Sequence, residues 1–222
     1  MSQVRTEEFE CPKCHTKGQH EVWDSVNVDL NPELRDKVLS GEIFLYRCPH
    51  CGYELMLVYP LLYHDMKHKF MVFYDLPDSE TGEFNDVEIP ENPLGSTDGY
   101  TFRAVHSLDS LTEKIGILEM GWDDVAVERL KYMISHVDRP EMFADGLELM
   151  AVSFIPEDDE HKNGQMVLRV FDKNSGKEDG LAIDMEVYFM SKYACKFDPR
   201  MTVEDKCPCI DERWIESRLR KV

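Results

Sequence analysis

Cys11-Pro12-Lys13-Cys14 and Cys48-Pro49-His50-Cys51 decide how this chain reads. Both are Cys-Pro-x-Cys turns, and residues 15–47 lie between them. Two such turns supply four thiols, the number a closed tetrahedral zinc site takes. The expectation is one structural zinc on Cys11, Cys14, Cys48 and Cys51, with backbone N–H groups of each turn donating to the sulfurs and favouring thiolates. A redox reading competes, because Cys48-Pro49-His50-Cys51 has the four letters of a thioredoxin-type oxidant. That chemistry needs a thiol at a helix N-terminus, whereas the stretch from Gly52 to Pro60 reads as a strand. Reduced thiols in unrelated turns are the bland alternative.

Working outward, the spacer holds a strand and a short helix. Residues 20–30 place Val22, Val26, Val28 and Leu30 on one parity, the alternation of a half-buried strand. Asn31-Pro32-Glu33 reads as a helix start, with Asn as cap and Pro in the first position. Leu34, Val38 and Leu39 make its apolar stripe, and Gly41 stops it. Ile43 to Tyr46 runs as a strand into the second turn, and Gly52 leaves it where a positive φ is needed. Glu54–Leu62 and Lys69–Tyr74 read as further strands, with Pro60 at an edge or bend. Residues 75–99 carry eight acids and no Lys or Arg. They read as a long acidic loop with an extended piece at Val87–Ile89, solvated or docking a basic partner.

Tyr100–Val105 resumes as a strand. A helix then spans Leu108–Met120 with Leu111, Ile115 and Leu118 at helical spacing; Ser110 and Glu113 fit a capping box. After Gly121 a second helix starts at Asp123 or Asp124 and runs to Arg139-Pro140, with Val127, Leu130, Ile134 and Val137 as its buried stripe. The last third offers strands at Leu147–Ile155 and Met166–Phe171 joined by a charged turn, a turn at Lys173–Gly180, a helix from Ile183 to Cys195 capped by Asp184, and an apolar anchor at Trp214-Ile215. The fold class expected is α+β: a zinc-ribbon-like element with a mostly antiparallel sheet, a helical hairpin and a C-terminal α/β extension. The domains expected are 1–140, zinc-binding, and 141–222, the extension.

The 222 residues include 25 basic and 44 acidic ones, a formal charge of −19. Such a balance argues against a broad nucleic-acid surface, which needs phosphate-neutralising Lys and Arg. It favours protein partners, basic ones if charge decides. MSQVRTEEFE has no apolar run, and no window reaches the ~18 apolar residues of a membrane span. A cytoplasmic chain with no membrane partner is expected, where paired cysteines serve as metal ligands more often than as disulfides.

The order FECPKC, IFLYRCPHCGYE, YPLLYHDMKHKFMVFY, YTFRAVHSLDSLTEKI and GWDDVAVERLKY, over about residues 9–138, resembles the CpXC-domain family. Leu61-Leu62-Tyr63-His64-Asp65, Glu113-Lys114-Ile115 and Asp123-Asp124 make the resemblance more specific than the cysteines alone. It implies a bacterial or archaeal domain and the cysteine motif at Cys11, Cys14, Cys48 and Cys51. It implies no activity.

Other residues invite chemistry. His64-Asp65-x-x-His68 offers a metal pair or a base with its orienting acid; its bland reading is a solvated turn. Glu113, Asp123, Asp124 and Glu128 surround the helical hairpin and suit Mg²⁺ or Mn²⁺; the bland reading is helix-dipole complementation. Asp124 and Glu128 repel at i,i+4, which hints at a nearby cation, Arg129 or Lys131. Cys195, Cys207 and Cys209 offer three thiols toward a second metal site that would need a His as its fourth ligand, or, for Cys195, a small buried hydrophobe. Trp122 is an exposed anchor or a core residue closing the hairpin. The first functional reading is a zinc-stabilised, non-catalytic binding or scaffolding protein. A metal-dependent hydrolase using the hairpin carboxylates is the alternative, and a zinc-ribbon nucleic-acid binder is disfavoured by charge.

Overall fold

In the computed structural model the described residues are 2–84, 87, 89, 98–138, 140, 147–155, 164–172 and 174–220. They form two compact units, Met1–Thr112 and Glu113–Val222. The boundary expected at 140 lies inside the second of these.

The first unit is built on a five-stranded sheet of β1 (Gln3–Glu10), β2 (Lys17–Asn27), β5 (Leu61–Asp65), β6 (Phe70–Tyr74) and β7 (Thr101–Val105), in the order β1-β2-β5-β6-β7. The β1–β2 and β5–β6 pairs are antiparallel; β2–β5 and β6–β7 are parallel. Helix α1 (Glu33–Leu39) follows β2, and a small antiparallel hairpin of β3 (Leu45–Arg47) and β4 (Glu54–Met56) precedes β5. Strand β2 stops at Asn27, earlier than its alternation suggests. The Asn27 side-chain oxygen accepts the N–H groups of Asp29 and Leu30, a local turn that outcompetes the ladder. Leu30 is left exposed. Asn31 supplies no side-chain cap to α1, and Gly41 closes it at φ +75.

Two expected strands are corrected. Ile43–Tyr46 opens as a 3-10 turn, Glu42–Phe44, before β3 begins. The run Glu54–Leu62 splits, because β4 pairs in the small hairpin whereas β5 joins the main sheet. The chain changes sheets at Val58–Pro60, where proline cannot donate to a ladder. Tyr59 anchors the crossing, buried and donating its hydroxyl to the Ile43 carbonyl at 2.7 Å. Leu34, Val38, Phe44, Leu61, Tyr63, Phe70, Val72, Tyr74 and Val105 are core residues of the unit.

Helix α2 (Leu108–Glu119) starts with Ser107, not Ser110, as its cap: the Ser107 hydroxyl accepts the Ser110 N–H. It ends in a Schellman closure at Gly121, φ +66, with Gly121 N–H on Leu118 O and Trp122 N–H on Ile117 O. Helix α3 (Asp124–Met133) follows at once, its cap Asp123 accepting from Val125 and Ala126. A π-helical turn, Ile134–Asp138, continues it. This turn explains the one failure of the predicted stripe. Val127, Leu130 and Ile134 are buried, but the wider turn rotates Val137 out, leaving it 54% exposed.

The second unit also contains the antiparallel meander β8 (Leu147–Ile155), β9 (Gln165–Asp172) and β10 (Lys177–Asp184), then α4 (Met185–Phe197), a 3-10 turn (Pro199–Met201) and α5 (Glu212–Leu219). The turn expected at Lys173–Gly180 is shorter, since β10 already begins at Lys177. Ile183 belongs to that strand. Asp184 stands at the head of α4 without capping it, its carboxylate taken by Gln165. Ile117, Ala126, Val127, Leu130, Met166, Leu168, Met185 and Tyr188 form the main core, and Val125, Met201, Ile210 and Ile215 a second one. The anchor at Ile215 is therefore fully buried. Trp122 packs half-buried against Tyr188 at the main core. The sheets are mostly antiparallel, with five of the seven strand pairings so arranged. The α+β class holds, with the cysteines in a zinc-ribbon-like element at the N-terminus. Val87 and Ile89, of the extended piece expected at Val87–Ile89, join no strand; Glu88, the turn residues 156–163 and Arg139 lie outside the described ones.

Candidate metal centre

Each Cys-Pro-x-Cys turn is the tip of a β-hairpin. The first joins β1 to β2 and the second joins β3 to β4. Their backbones follow the same course. Cys11 N–H donates to Thr16 O and His15 N–H to Cys11 O; Cys48 N–H donates to Tyr53 O and Gly52 N–H to Cys48 O. The residue after each second cysteine takes a left-handed conformation, His15 at φ +58 and Gly52 at φ +67. The glycine was legible in the sequence. The histidine was not, since a non-glycine residue hides that requirement.

Tip meets tip. Cys11 Sγ lies 3.7 Å from Cys51 Sγ, and Cys14 Sγ 3.7 Å from Cys48 Sγ. All four sulfurs lie within 4.8 Å of one another, close enough to hold a metal ion. Phe9, Tyr46, Tyr53 and Leu57 pack around them, with Phe9 set edge-on to Tyr46 at 4.8 Å. Gly18 permits this approach: a Cβ there would stand 2.8 Å from Tyr46 Oη and 3.3 Å from Pro49 Cδ.

The turns also tune the thiols. The Thr16 hydroxyl and N–H stabilise the Cys14 thiolate and pull its pKa down to about 5. The backbone N–H groups of Cys51 and His50 lower that of Cys48. Cys51 receives the Tyr53 N–H, yet burial and the sulfurs of Cys14, Cys48 and Cys11 push it up to about 12. Protons are thus shared unevenly among four crowded sulfurs, a set whose repulsion a cation relieves. No helix begins at either turn, so the helix N-terminus on which thioredoxin-type activation depends is missing at both.

The remaining candidates are placed differently from their functional readings. His64 is buried between Asn27 Nδ2 at 3.2 Å and Tyr100 Oη at 3.3 Å. Burial lowers its pKa. Asp65 instead holds His68, accepting at 2.6 Å from the ring and at 2.7 Å from its backbone N–H. The two histidines therefore serve separate bonds, and the Asp65–His68 pair locks the β5–β6 turn.

The hairpin carboxylates belong to lysines. Lys131 Nζ lies 2.9 Å from both Glu113 and Glu128. Lys114 Nζ lies 2.9 Å from Asp124 and 2.8 Å from Ile210 O. Asp123 is spent as a cap. The like-charged Asp124–Glu128 spacing did signal a cation, and Lys131 is one. Lys114 went unread because Asp124 lies on the other helix of the hairpin and Ile210 far along the chain. Arg129 contacts Ser191 Oγ at 3.4 Å. Among the described residues Cys195, Cys207 and Cys209 form no metal-binding group. Cys195 is pushed up to about 11 by burial, and Cys209 to about 12 by burial and by Asp211 beside it.

A family model described as CpXC protein matches residues 9–131, more than half of the chain and including both cysteine turns. No curated protein and no solved structure matches. Among the described residues no helix is long and apolar enough to cross a membrane.

Proposed function

We propose that this chain, which belongs to the CpXC family, is a zinc-stapled, non-catalytic protein-binding module. Zinc suits the sulfur cage. A Zn–S bond of ~2.3 Å sets tetrahedral corners about 3.8 Å apart, close to the 3.7 Å separations of the two cross-turn pairs. Four thiolates leave no open position for substrate, which is the arrangement of a structural site. The hairpin carboxylates, engaged by Lys114 and Lys131, lend no support to hydrolysis.

The observation that carries the binding reading is the outer face of α4. Phe189, Met190, Tyr193 and Phe197 lie along it, between 53% and 71% exposed. An apolar stripe of that kind is costly in water and marks a contact surface. Lys192 and Lys196 flank it toward one end and Glu186 stands at the other. The occupant we infer is a second copy of the chain, its α4 antiparallel to the first. Each Glu186 then falls near the partner helix's Lys196 end, and the apolar stripes face each other.

Light scattering across a concentration series tests this. Wild type runs as a dimer and Met190→Glu/Tyr193→Glu as a folded monomer. A wild type that stays monomeric at every concentration overturns the second copy as occupant. A dimer untouched by the double substitution overturns α4 as the surface. For the staple, Cys48→Ser removes one zinc equivalent per chain by elemental analysis; unchanged zinc content refutes it.

A further inference from the structure

The geometry points to a second divalent-cation site, distinct from the cysteine cage, formed in the second unit by His136, Glu212 and Glu216. The π-helical turn after α3 presents His136, and α5 presents Glu212 and Glu216 one turn apart on a single face. His136 Nε2 stands 3.4 Å from Glu216 Oε1 and 4.0 Å from Glu212 Oε1. The three ligand atoms all lie within 4.8 Å of one another.

The proton inventory says what belongs among them. Ser135 Oγ is 2.9 Å from the Lys131 carbonyl and 2.8 Å from His136 Nδ1. A carbonyl only accepts, so it takes the single hydroxyl hydrogen. With the hydroxyl hydrogen so placed, Ser135 Oγ accepts from His136 Nδ1–H, the tautomer that this arrangement favours. In the neutral ring this leaves the Nε2 lone pair aimed at two carboxylates. Three electron-pair donors facing one another need a cation between them, either a metal ion or a second ring proton.

Three features favour the metal. The Ser135 bond fixes one tautomer, as outer partners do for metal-binding histidines. Tyr132 stacks on the ring at 4.3 Å and holds its plane. His136 sits on a π turn, a distortion that recurs at functional sites. Arg220 Nη2 lies 2.7 Å from Glu216 Oε1, the same oxygen that faces His136, and balances part of the acidic charge. One imidazole with two carboxylates suits Zn²⁺, Mn²⁺ or Co²⁺ better than Ca²⁺ or Mg²⁺, which favour oxygen alone. Glu212 is 64% exposed, so water completes the shell. A bound ion would bolt the end of α3 to α5.

The test is zinc titration of the full chain against a chromophoric chelator, with Mn²⁺ followed separately by electron paramagnetic resonance. Wild type takes up two zinc equivalents. His136→Ala and Glu216→Gln each take up one, Cys48→Ser loses the other one, and Ser135→Ala weakens the second equivalent about tenfold or more. Circular dichroism establishes that each variant is folded. A single equivalent in wild type, or a second equivalent indifferent to His136→Ala, overturns the site. Nitrogen NMR of wild type decides independently of any variant. Zinc must shift the His136 Nε2 resonance. A ring whose Nε2 resonance is the same with and without zinc binds no metal, and the cluster is then an ion pair only.

Discussion

Lys131 holds two buried carboxylates with one ammonium. Burial works against its charge, but Glu113 and Glu128 outweigh burial and raise its pKa. Glu128 shows the opposite balance: burial, with Glu113 nearby, outweighs Lys131 and lifts its carboxyl from 4.5 to about 7. Lys131→Met leaves both acids buried without a cation and should cost ~3–5 kcal/mol in urea unfolding. A variant within about 1 kcal/mol of wild type refutes the role. The sign of the pH effect follows from the raised carboxyl. The folded state holds the Glu128 proton more tightly than the unfolded chain does. That contribution is fully present below pH 4.5 and is lost as pH rises through about 7. Glu128→Gln should therefore remove a decline in stability between those limits, read as urea midpoints at pH 5 and pH 7.5. An unchanged slope rejects the assignment.

The two cysteine hairpins are the same element used twice, and His15 and Gly52 occupy the same corner. A left-handed backbone costs an ordinary residue roughly 1–2 kcal/mol and glycine almost nothing. Gly52→Ala should lower stability by about 1 kcal/mol. His15→Gly should leave it unchanged or raise it, because relief of strain offsets the greater freedom of the unfolded chain. Urea midpoints of the two variants check this, and a loss in His15→Gly equal to that in Gly52→Ala denies the equivalence. The paired turns were readable because proline, glycine and cysteine each demand a particular backbone or donor geometry. The sheet change at Val58–Pro60 was less so: an apolar run carries no mark of which sheet it joins.

For the whole molecule, the cysteine cluster belongs to the first unit and both helical cores to the second. Loss of the cysteine-bound metal should therefore act on the first unit's stability more than on the second's. Calorimetry of Cys48→Ser against wild type should show one transition falling in temperature while the other stays. Both falling together by the same amount refutes it. Periodicity and caps were enough to anticipate most helices and strands, and the cysteine spacing was enough to anticipate which four thiols come together, because those signals depend on residues near one another in the chain. Lys114 on Asp124 and Ile210, Tyr46 beneath Gly18, and His136 against Glu212 and Glu216 depend on approaches across many residues. No local pattern encodes them. The sequence alone determined the four thiols, the turns that carry them and the α+β alternation. Only the tertiary structure decided that the hairpin acids are satisfied by lysines, that α4 turns an apolar face to water, and that the His136 ring meets two carboxylates. Each of those outcomes is set by packing, which brings distant side chains within a few ångströms and removes the water that would otherwise separate their charges.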